Sequence, residues 1–267
     1  MEAPGSGEWA LVTNDDGIAA PGLRALAAAA VATGLDVVVA APALEASGAG
    51  SSIMAVRADG HVRAERHDLA GLAGVPAFGV AGHPSFIAFA ALSGWFDRPP
   101  ALVLSGINFG ANLGTSILHS GTVGAALTAA RLGARALAVS LDCDHAPPGA
   151  VPNWDNTGAL LPSVLEVLAA TPAGTTLTLN LPDLPADQLG ELRAAPLANR
   201  NRRRGQVSGT EGGLRVSGVQ STEALEPGHD AALLDAGHPT LTAVRPVSQD
   251  TSLPLDDLLV QLVRNPA

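Results

Sequence analysis

The chain has 267 residues, 47% of them apolar but only 3% aromatic, which suffices for one large domain, or a domain with an appendage, built mainly from Ala, Val and Leu. Its formal net charge of −10 counts against sequence-independent binding of DNA, which depends on Lys and Arg at phosphates. All 15 basic side chains other than histidine are arginines, which excludes enzymes that need a catalytic lysine.

The first 190 residues alternate between strand patterns and helix patterns. Residues 9–13 and 36–42 are continuous apolar runs typical of strands covered on both faces, and residues 21–34 between them predict a helix. Further short strands are predicted over 61–80, longer strands over 101–107, 134–141 and 175–183, helices over 83–96, 122–133 and 156–170, and a glycine-rich loop over 108–121. This order predicts an α/β, Rossmann-like fold with a doubly wound, mostly parallel sheet.

The pattern changes after about residue 190, which divides the chain into a core over 1–190 and an extension over 191–267. Polar, basic and glycine-rich residues 199–218 predict a hairpin or arm. Residues 238–250 predict a strand, and residues 250–264 predict a terminal amphipathic helix. The arginine cluster in the arm fits a solvated loop best, with an oligomer contact or an anion contact as alternatives: Arg200, Arg202, Arg203 and Arg204.

The sequence also carries expectations about the compartment. The single cysteine, Cys143, cannot form an intrachain disulfide, which fits a reducing environment. The first ten residues lack the basic and apolar regions of a signal peptide, and the alanine-rich run 25–32 is too short to cross a membrane. We therefore expect a cytoplasmic protein without a membrane partner.

Polar side chains follow three predicted strands where each strand ends. Asp15 and Asp16 lie in the "NDDG" segment 14–17, and the loops 46–52 and 108–114 add neutral oxygen donors. Each segment alone fits a turn, a flexible loop or a strand end. Together they favour a site for a hard divalent cation, because ligands bind beyond the carboxyl ends of such strands and Mg²⁺ or Mn²⁺ takes oxygen ligands. The cation would also relieve the repulsion between the adjacent carboxylates.

A fourth segment, "HSGTVGAA", places Ser120, Gly121 and Thr122 at the start of a predicted helix. Free N–H groups and the helix dipole at such a start suit a phosphate, although a plain Ser or Thr cap is the simpler interpretation. His119 could contact phosphate or act as an acid, but a single loop histidine is more often structural or merely exposed. Metal and phosphate sites together indicate phosphoryl hydrolysis.

The absence of lysine narrows the class of phosphate chemistry. Receiver domains and haloacid-dehalogenase-type phosphatases share an acidic motif after the first strand but also use a lysine. A P-loop requires Gly-Lys, and a Rossmann dinucleotide site requires its glycine fingerprint where this chain has acids. None of these sites matches the sequence.

The sequence contains five motifs in a fixed order: "LVTNDDGIAAPGL", "VVVAAP…SGAGSSI", "LVLSGINFGANLG…HSGTVGAA", "ARALAVSL" and "LNLPDLP". The same motifs occur in this order in the SurE family of stationary-phase survival proteins, which the chain resembles over about residues 10–190. The resemblance implies a 5′/3′-nucleotidase with a Rossmann-like domain and carboxyl-terminal arms that assemble a homodimer or homotetramer. It implies one divalent cation, Mg²⁺ or Mn²⁺, per subunit. By motif position the metal ligands are Asp15, Asp16, Ser47 and Asn108, with the two aspartates as catalytic residues, and the phosphate site comprises Asn14, Asn112, Ser120, Gly121 and Thr122.

The chain departs from the family pattern at three positions. The family usually carries Asp and Arg in "APDRNRSG", where this chain has Ala43 and Ala46 in "APALEASG", and Phe86 stands where "GTPADC" has Asp. The expected function is metal-dependent hydrolysis of nucleoside 5′- and 3′-monophosphates to nucleoside and phosphate, with short polyphosphate as a further substrate. The alternative is a non-catalytic nucleotide- or metal-binding protein whose altered loops have cost it activity.

Overall fold

A computed structural model describes residues 1–143, 149–199, 203–220, 223–245, 247–256 and 259. Its centre is a nine-stranded sheet in the order β10-β13-β9-β8-β7-β1-β2-β6-β5. These strands are β1 (Trp9–Thr13), β2 (Asp36–Pro42), β5 (Ala64–Arg66), β6 (Ala77–Val80), β7 (Leu102–Phe109), β8 (Arg135–Asp142), β9 (Thr176–Pro182), β10 (Arg193–Ala194) and β13 (Thr240–Val244). The six strands from β9 to β6 are parallel, whereas β5 and β13 run antiparallel to their neighbours β6 and β9. The predicted Rossmann-like α/β sheet is confirmed.

Helices cover both faces of the sheet. On one face α1 (Pro21–Ala32) and α4 (Asn156–Ala169) contribute Leu and Val side chains to a large buried cluster. On the other face α2 (Pro84–Ala90) and α3 (Gly121–Arg131) pack through Ile, Val and Ala onto a second cluster. Because both faces are buried, the central strands are apolar throughout rather than alternating.

Most predicted elements agree with the structure to within a few residues, but three differ. The helix predicted over 83–96 ends at Ala90, and a wider turn follows over Ala91–Trp95, because Gly94 has a φ of +110° that interrupts helical geometry. The loop predicted over 108–121 contains a 3₁₀ helix, Gly114–His119. The short helix α5 (Asp230–Asp235) was not predicted.

The residues after 190 form two kinds of structure. Strands β10 and β13 extend the central sheet, and β11 (Arg203–Thr210) pairs with β12 (Gly213–Gln220) as the predicted antiparallel hairpin. A second small antiparallel pair, β3 (Arg57–Ala58) with β4 (His61–Val62), directly precedes the edge strand β5 in the chain. The division of the chain at residue 190 stays a prediction. Arg200 and Arg202, and most of the terminal helix predicted over 250–264, lie outside the described residues.

The strand order fixes where a ligand can bind. The chain passes from β1 outward through β2 to β6, and then crosses back to place β7 on the other side of β1. The loops that follow β1 and β7 therefore leave the sheet on opposite sides, and a crevice opens between them at the carboxyl ends of the strands.

Candidate active site

A cavity of about 420 Å³ lies at this crevice. Four segments contribute to its walls: the loop after β1, the loop after β2, the end of β7 with the loop that follows, and the residues that precede α3. The lining residues are Asp15, Asp16, Glu45, Ser47, Gly48, Asn108, Phe109, Asn112, Ser116, His119 and Ser120. The three loops singled out in the sequence thus meet in one cavity.

Asn14 shapes the turn that carries the acid pair. It is fully buried, its Nδ2 donates to the Gly17 carbonyl (3.2 Å), and its Oδ1 accepts from the Gly17 N–H (3.1 Å). Both ends of its amide are therefore used within the turn. Gly17 has a φ of +99°, which suits the turn to glycine.

Asp15 is buried against the start of α3. The Thr122 hydroxyl donates to its Oδ1 at 2.5 Å, and Gly121 lies directly against the same carboxylate. A Cβ on Gly121 would lie 2.7 Å from Asp15 Oδ2 and 2.8 Å from its Cβ, so only glycine fits there. Burial raises the pKa of Asp15 above its ordinary value, while hydrogen bonding, above all from the Thr122 hydroxyl, opposes the rise.

Asp16 is half-buried and faces the cavity. Its Oδ2 accepts from the backbone N–H of Phe109 at 3.2 Å. Burial, and then the charge of Asp15, raise the pKa of Asp16 to about 6, with a smaller contribution from Glu45 in the same direction. The two carboxylates therefore differ: Asp15 is fixed by the helix start, whereas Asp16 is open to a ligand.

The loop after β2 is pinned to both neighbouring loops. The Ala46 N–H donates to the Asp15 carbonyl (2.7 Å), and the Gly50 N–H donates to the His119 carbonyl (3.2 Å). These bonds bring Ser47 to the cavity, where its exposed hydroxyl donates to Glu45 Oε1 (2.8 Å). A third carboxylate thus stands at the edge of the site.

Two asparagines line the β7 side of the cavity. Asn108 donates from Nδ2 to the Gly110 carbonyl (2.7 Å), and its Oδ1 accepts from the Thr122 hydroxyl (3.3 Å). Asn112 donates from Nδ2 to Ser140 Oγ (2.9 Å), while its backbone exchanges hydrogen bonds with the side chain of Asn180 on β9. Asn180 therefore positions the loop from a strand two places away in the sheet.

Of the nine predicted site residues, six line the cavity: Asp15, Asp16, Ser47, Asn108, Asn112 and Ser120. The other three, Asn14, Gly121 and Thr122, lie directly behind it and hold the acid pair in place. Ser120 caps α3, because its Oγ accepts from the Val123 N–H (3.1 Å). The assignment of Gly121 and Thr122 to a phosphate site stays a prediction, and the Thr122 hydroxyl itself is engaged by Asp15.

Five lining residues were not assigned to the site from sequence: Glu45, Gly48, Phe109, Ser116 and His119. His119 was considered as a phosphate contact or an acid, and Glu45, Gly48 and Phe109 each lie within two residues of an assigned position, which is the signal that could have found them. Ala43 and Ala46, two of the departures from the family pattern, line a neighbouring apolar cavity of about 310 Å³ that adjoins the acid cavity at Glu45. Phe86 packs over Gly82 and against the apolar cluster beneath α2.

The oxygen donors of the cavity suit a divalent cation. Among the described residues, no group of three or more His, Cys, Asp or Glu side chains is arranged to hold a metal ion. Two carboxylates with a hydroxyl and an amide oxygen nevertheless match the all-oxygen preference of Mg²⁺, which keeps several waters and needs only one or two carboxylates. Burial raises the pKa of both aspartates, and the charge of Asp15 raises that of Asp16 further, so a cation between them would offset the cost of ionising both.

The fold and the cavity define a doubly wound α/β protein with an acidic, oxygen-lined site at the switch point of its sheet. A family model described as Survival protein SurE matches residues 10–204, and the chain belongs to this family. A 5′-nucleotidase SurE from Nitratidesulfovibrio vulgaris (strain DP4) is 36% identical over 238 residues, covering 88% of this chain and 92% of that protein. A 5′-nucleotidase SurE from Symbiobacterium thermophilum is 42% identical over 195 residues, covering 71% of this chain and 72% of that protein.

The fold also agrees with a solved structure. The crystal structure of the SurE protein from Aquifex aeolicus superposes with a TM-score of 0.76, covering 94% of this chain and 99% of that chain at 23% sequence identity. At that identity the likeness shows the fold alone. The described part of the chain contains no helix that is both long enough and apolar enough to cross a membrane.

The raised pKa of Asp16 predicts a pH-dependent stability. Because the folded protein binds this proton more tightly than the unfolded chain, the stabilisation is complete below about pH 4 and is lost as pH rises through about 6. In the metal-free protein, Asp16→Asn should therefore raise the melting temperature above pH 7 and change it little near pH 4. Thermal unfolding in EDTA across this range measures the difference, and a difference that does not vary with pH would contradict the prediction.

Proposed function

We propose that this protein is a metal-dependent phosphomonoesterase that hydrolyses nucleoside monophosphates to nucleoside and phosphate. The observation that carries the proposal is the convergence of Asp15, Asp16, Ser47 and Asn108 on one cavity at the switch point. Membership of the SurE family and the name 5′-nucleotidase carried by its relatives support the same activity. The alternative of a non-catalytic binding protein finds no support in these comparisons.

The residues would divide the work as follows. Asp15, Asp16, Ser47 and Asn108 would hold one divalent cation, Mg²⁺ or Mn²⁺, which supplies positive charge to polarise the phosphoryl group and to lower the pKa of water. Asp15 is fixed by the Thr122 hydroxyl at the start of α3, so its role would be to hold the cation in position. Asp16 is open to the cavity and is the better placed carboxylate to orient the attacking water or accept its proton.

The remaining lining residues suit the phosphate and the leaving group. Asn112 and Ser120 lie on the cavity wall and can donate hydrogen bonds to phosphate oxygens. His119 lies on the same wall and can deliver a proton to the departing nucleoside oxygen. Hydrolysis of 3′-monophosphates and short polyphosphate, and residence in the cytoplasm, belong to the same proposal.

Assembly is also part of the proposal. The β11–β12 hairpin forms a two-stranded sheet of its own, separate from the central sheet. A two-stranded hairpin alone is at best marginally stable in water. Contact with another copy would stabilise it, which supports a homodimer or homotetramer.

Metal-dependent phosphate release tests the activity. Purified protein should release phosphate from AMP, and nitrophenol from p-nitrophenyl phosphate, with Mg²⁺ or Mn²⁺ present, and EDTA should abolish the release until excess metal restores it. A colorimetric phosphate assay measures the phosphate released from AMP, and absorbance at alkaline pH measures the nitrophenol. Failure to cleave any nucleoside monophosphate with either metal would reject the enzymatic proposal.

A further inference from the structure

The most exposed aromatic side chain of the protein lies on the acid cavity. The chain has five phenylalanines, three tryptophans and no tyrosine, and all eight rings are within the described residues. Trp9, Phe78 and Phe96 are almost completely buried. Phe109 is 59% exposed and Phe89 is 40% exposed. An exposed phenyl ring lacks the stabilisation that burial would give it, so its position beside a ligand site indicates a role in binding.

Two contacts hold Phe109 at this position. It is the last residue of β7, and its backbone N–H donates to Asp16 Oδ2. This hydrogen bond holds the backbone of Phe109 beside the acid pair. On its far side the ring meets Trp154, with ring centroids 6.4 Å apart and planes inclined by 52°. Trp154 is itself packed against the start of α1, where a Cβ on Gly22 would lie 3.1 Å from its ring. The phenyl ring therefore contacts Trp154, while more than half of the residue stays exposed and it contributes to the cavity lining.

We propose that Phe109 is the stacking platform for the nucleobase of the substrate, an inference that rests on the proposed nucleotidase function. A flat apolar ring next to the phosphate site fits the planar base carried by the departing nucleoside, because base–aromatic stacking is favourable for every base. A phenyl ring offers no hydrogen-bond donor or acceptor, so the platform accepts different bases. The larger purines gain more contact than pyrimidines.

The neighbouring apolar cavity is the other place where a base could lie. It adjoins the acid cavity at Glu45, but its lining contains neither Phe nor Trp, and its wall consists of aliphatic side chains with His83. A base in that cavity would leave Phe109 without an effect on substrate choice. The two locations therefore make opposite predictions for variants of Phe109.

The test compares a nucleotide with its base-free analogue. Phe109→Ala should lower the ratio of kcat/KM for AMP to kcat/KM for ribose 5-phosphate roughly tenfold, mainly through the KM for AMP, and Phe109→Trp should restore or raise the ratio. Each variant keeps the backbone N–H that bonds to Asp16. The matched control is Phe89→Ala, which removes the other exposed phenyl ring, on α2 and outside the cavity lining, and should leave the ratio unchanged.

Binding of adenosine, measured by calorimetry, gives a readout independent of turnover. Phe109→Ala should weaken it and Phe89→Ala should not. If Phe109→Ala changes neither the kcat/KM ratio nor the binding of adenosine, Phe109 is not the stacking platform. Equal losses of kcat/KM for AMP and ribose 5-phosphate would also overturn the proposal, because they would show an effect that does not involve the base. A change in oligomer size, measured by light scattering, would likewise overturn it, because the loss would then come from assembly. If the unaltered protein cleaves neither ester, the nucleotidase proposal fails, and adenosine binding alone then decides whether Phe109 binds a base.

Discussion

Replacing either aspartate of the acid pair should reduce metal-dependent phosphate release about a hundredfold or more, because each change removes a charged oxygen from a site that has only two central carboxylates. Asp16→Asn should fold normally, since Asp16 faces the cavity and accepts a single backbone hydrogen bond. Asp15→Asn should in addition lower stability slightly, because a neutral amide oxygen is a weaker acceptor than a carboxylate for the buried Thr122 hydroxyl. Initial rates at saturating Mn²⁺ and AMP, with calorimetric metal titrations, measure both effects.

A carboxylate outside the cavity lining provides the control for this pair. Asp155 precedes α4, is exposed and makes no capping hydrogen bond, so Asp155→Asn should leave turnover and metal affinity unchanged. Near-normal turnover in both acid-pair variants, with both folded, would remove Asp15 and Asp16 from the mechanism. A loss of activity that excess metal fully restores would assign them to metal affinity alone.

Asp230→Ala should destabilise the protein by about 3 kcal/mol, because it leaves three buried N–H groups without an acceptor. Asp230 is 1% exposed at the start of α5, and its carboxylate accepts from Gly114 at 2.7 Å, Ala198 at 2.9 Å and Ala231 at 2.7 Å. Gly114 begins the 3₁₀ helix that carries Ser116 and His119 into the cavity. Activity should therefore fall along with the denaturant midpoint.

Two further variants make the Asp230 prediction specific. Asp230→Asn keeps one acceptor oxygen and should lose only part of the stability. Asp187→Ala removes an exposed carboxylate from the short 3₁₀ turn Ala186–Gln188 and should change the midpoint little. If Asp230→Ala unfolds at the same denaturant concentration as the unaltered chain, the three hydrogen bonds to Asp230 do not contribute to the free energy of unfolding.

The core of the fold could be predicted from local sequence because its strands are buried on both faces. Runs such as residues 36–42 are apolar at every position, and the helices between them end at glycines or start at polar caps. The acid cavity could also be predicted in outline, because parallel strands bring their carboxyl ends to one edge of the sheet. This reasoning brings the loops 46–52 and 108–114 to the acid pair, and the resemblance to the SurE family then singles out Ser47 and Asn108 within them.

The parts that escaped prediction depend on contacts between distant residues. Asn180 positions Asn112 across 68 residues of sequence, and Asp230 positions Gly114 across 116 residues. Neither contact leaves a local pattern, and α5, with six residues, is too short for a periodic signal. The anchoring of Asp15 escaped prediction for the same reason, because the hydrogen bond from the Thr122 hydroxyl spans 107 residues of sequence.

The anchoring of Asp15 has a consequence for the order of binding. The Thr122 hydroxyl holds Asp15 at the start of α3, and the residues that line the cavity include neither lysine nor arginine. Without a cation, an incoming phosphate would meet the carboxylates of Asp15, Asp16 and Glu45 and no guanidinium or ammonium group on the cavity wall. In the proposed enzyme the cation would therefore bind before the ester, and metal occupancy would control the entry of substrate.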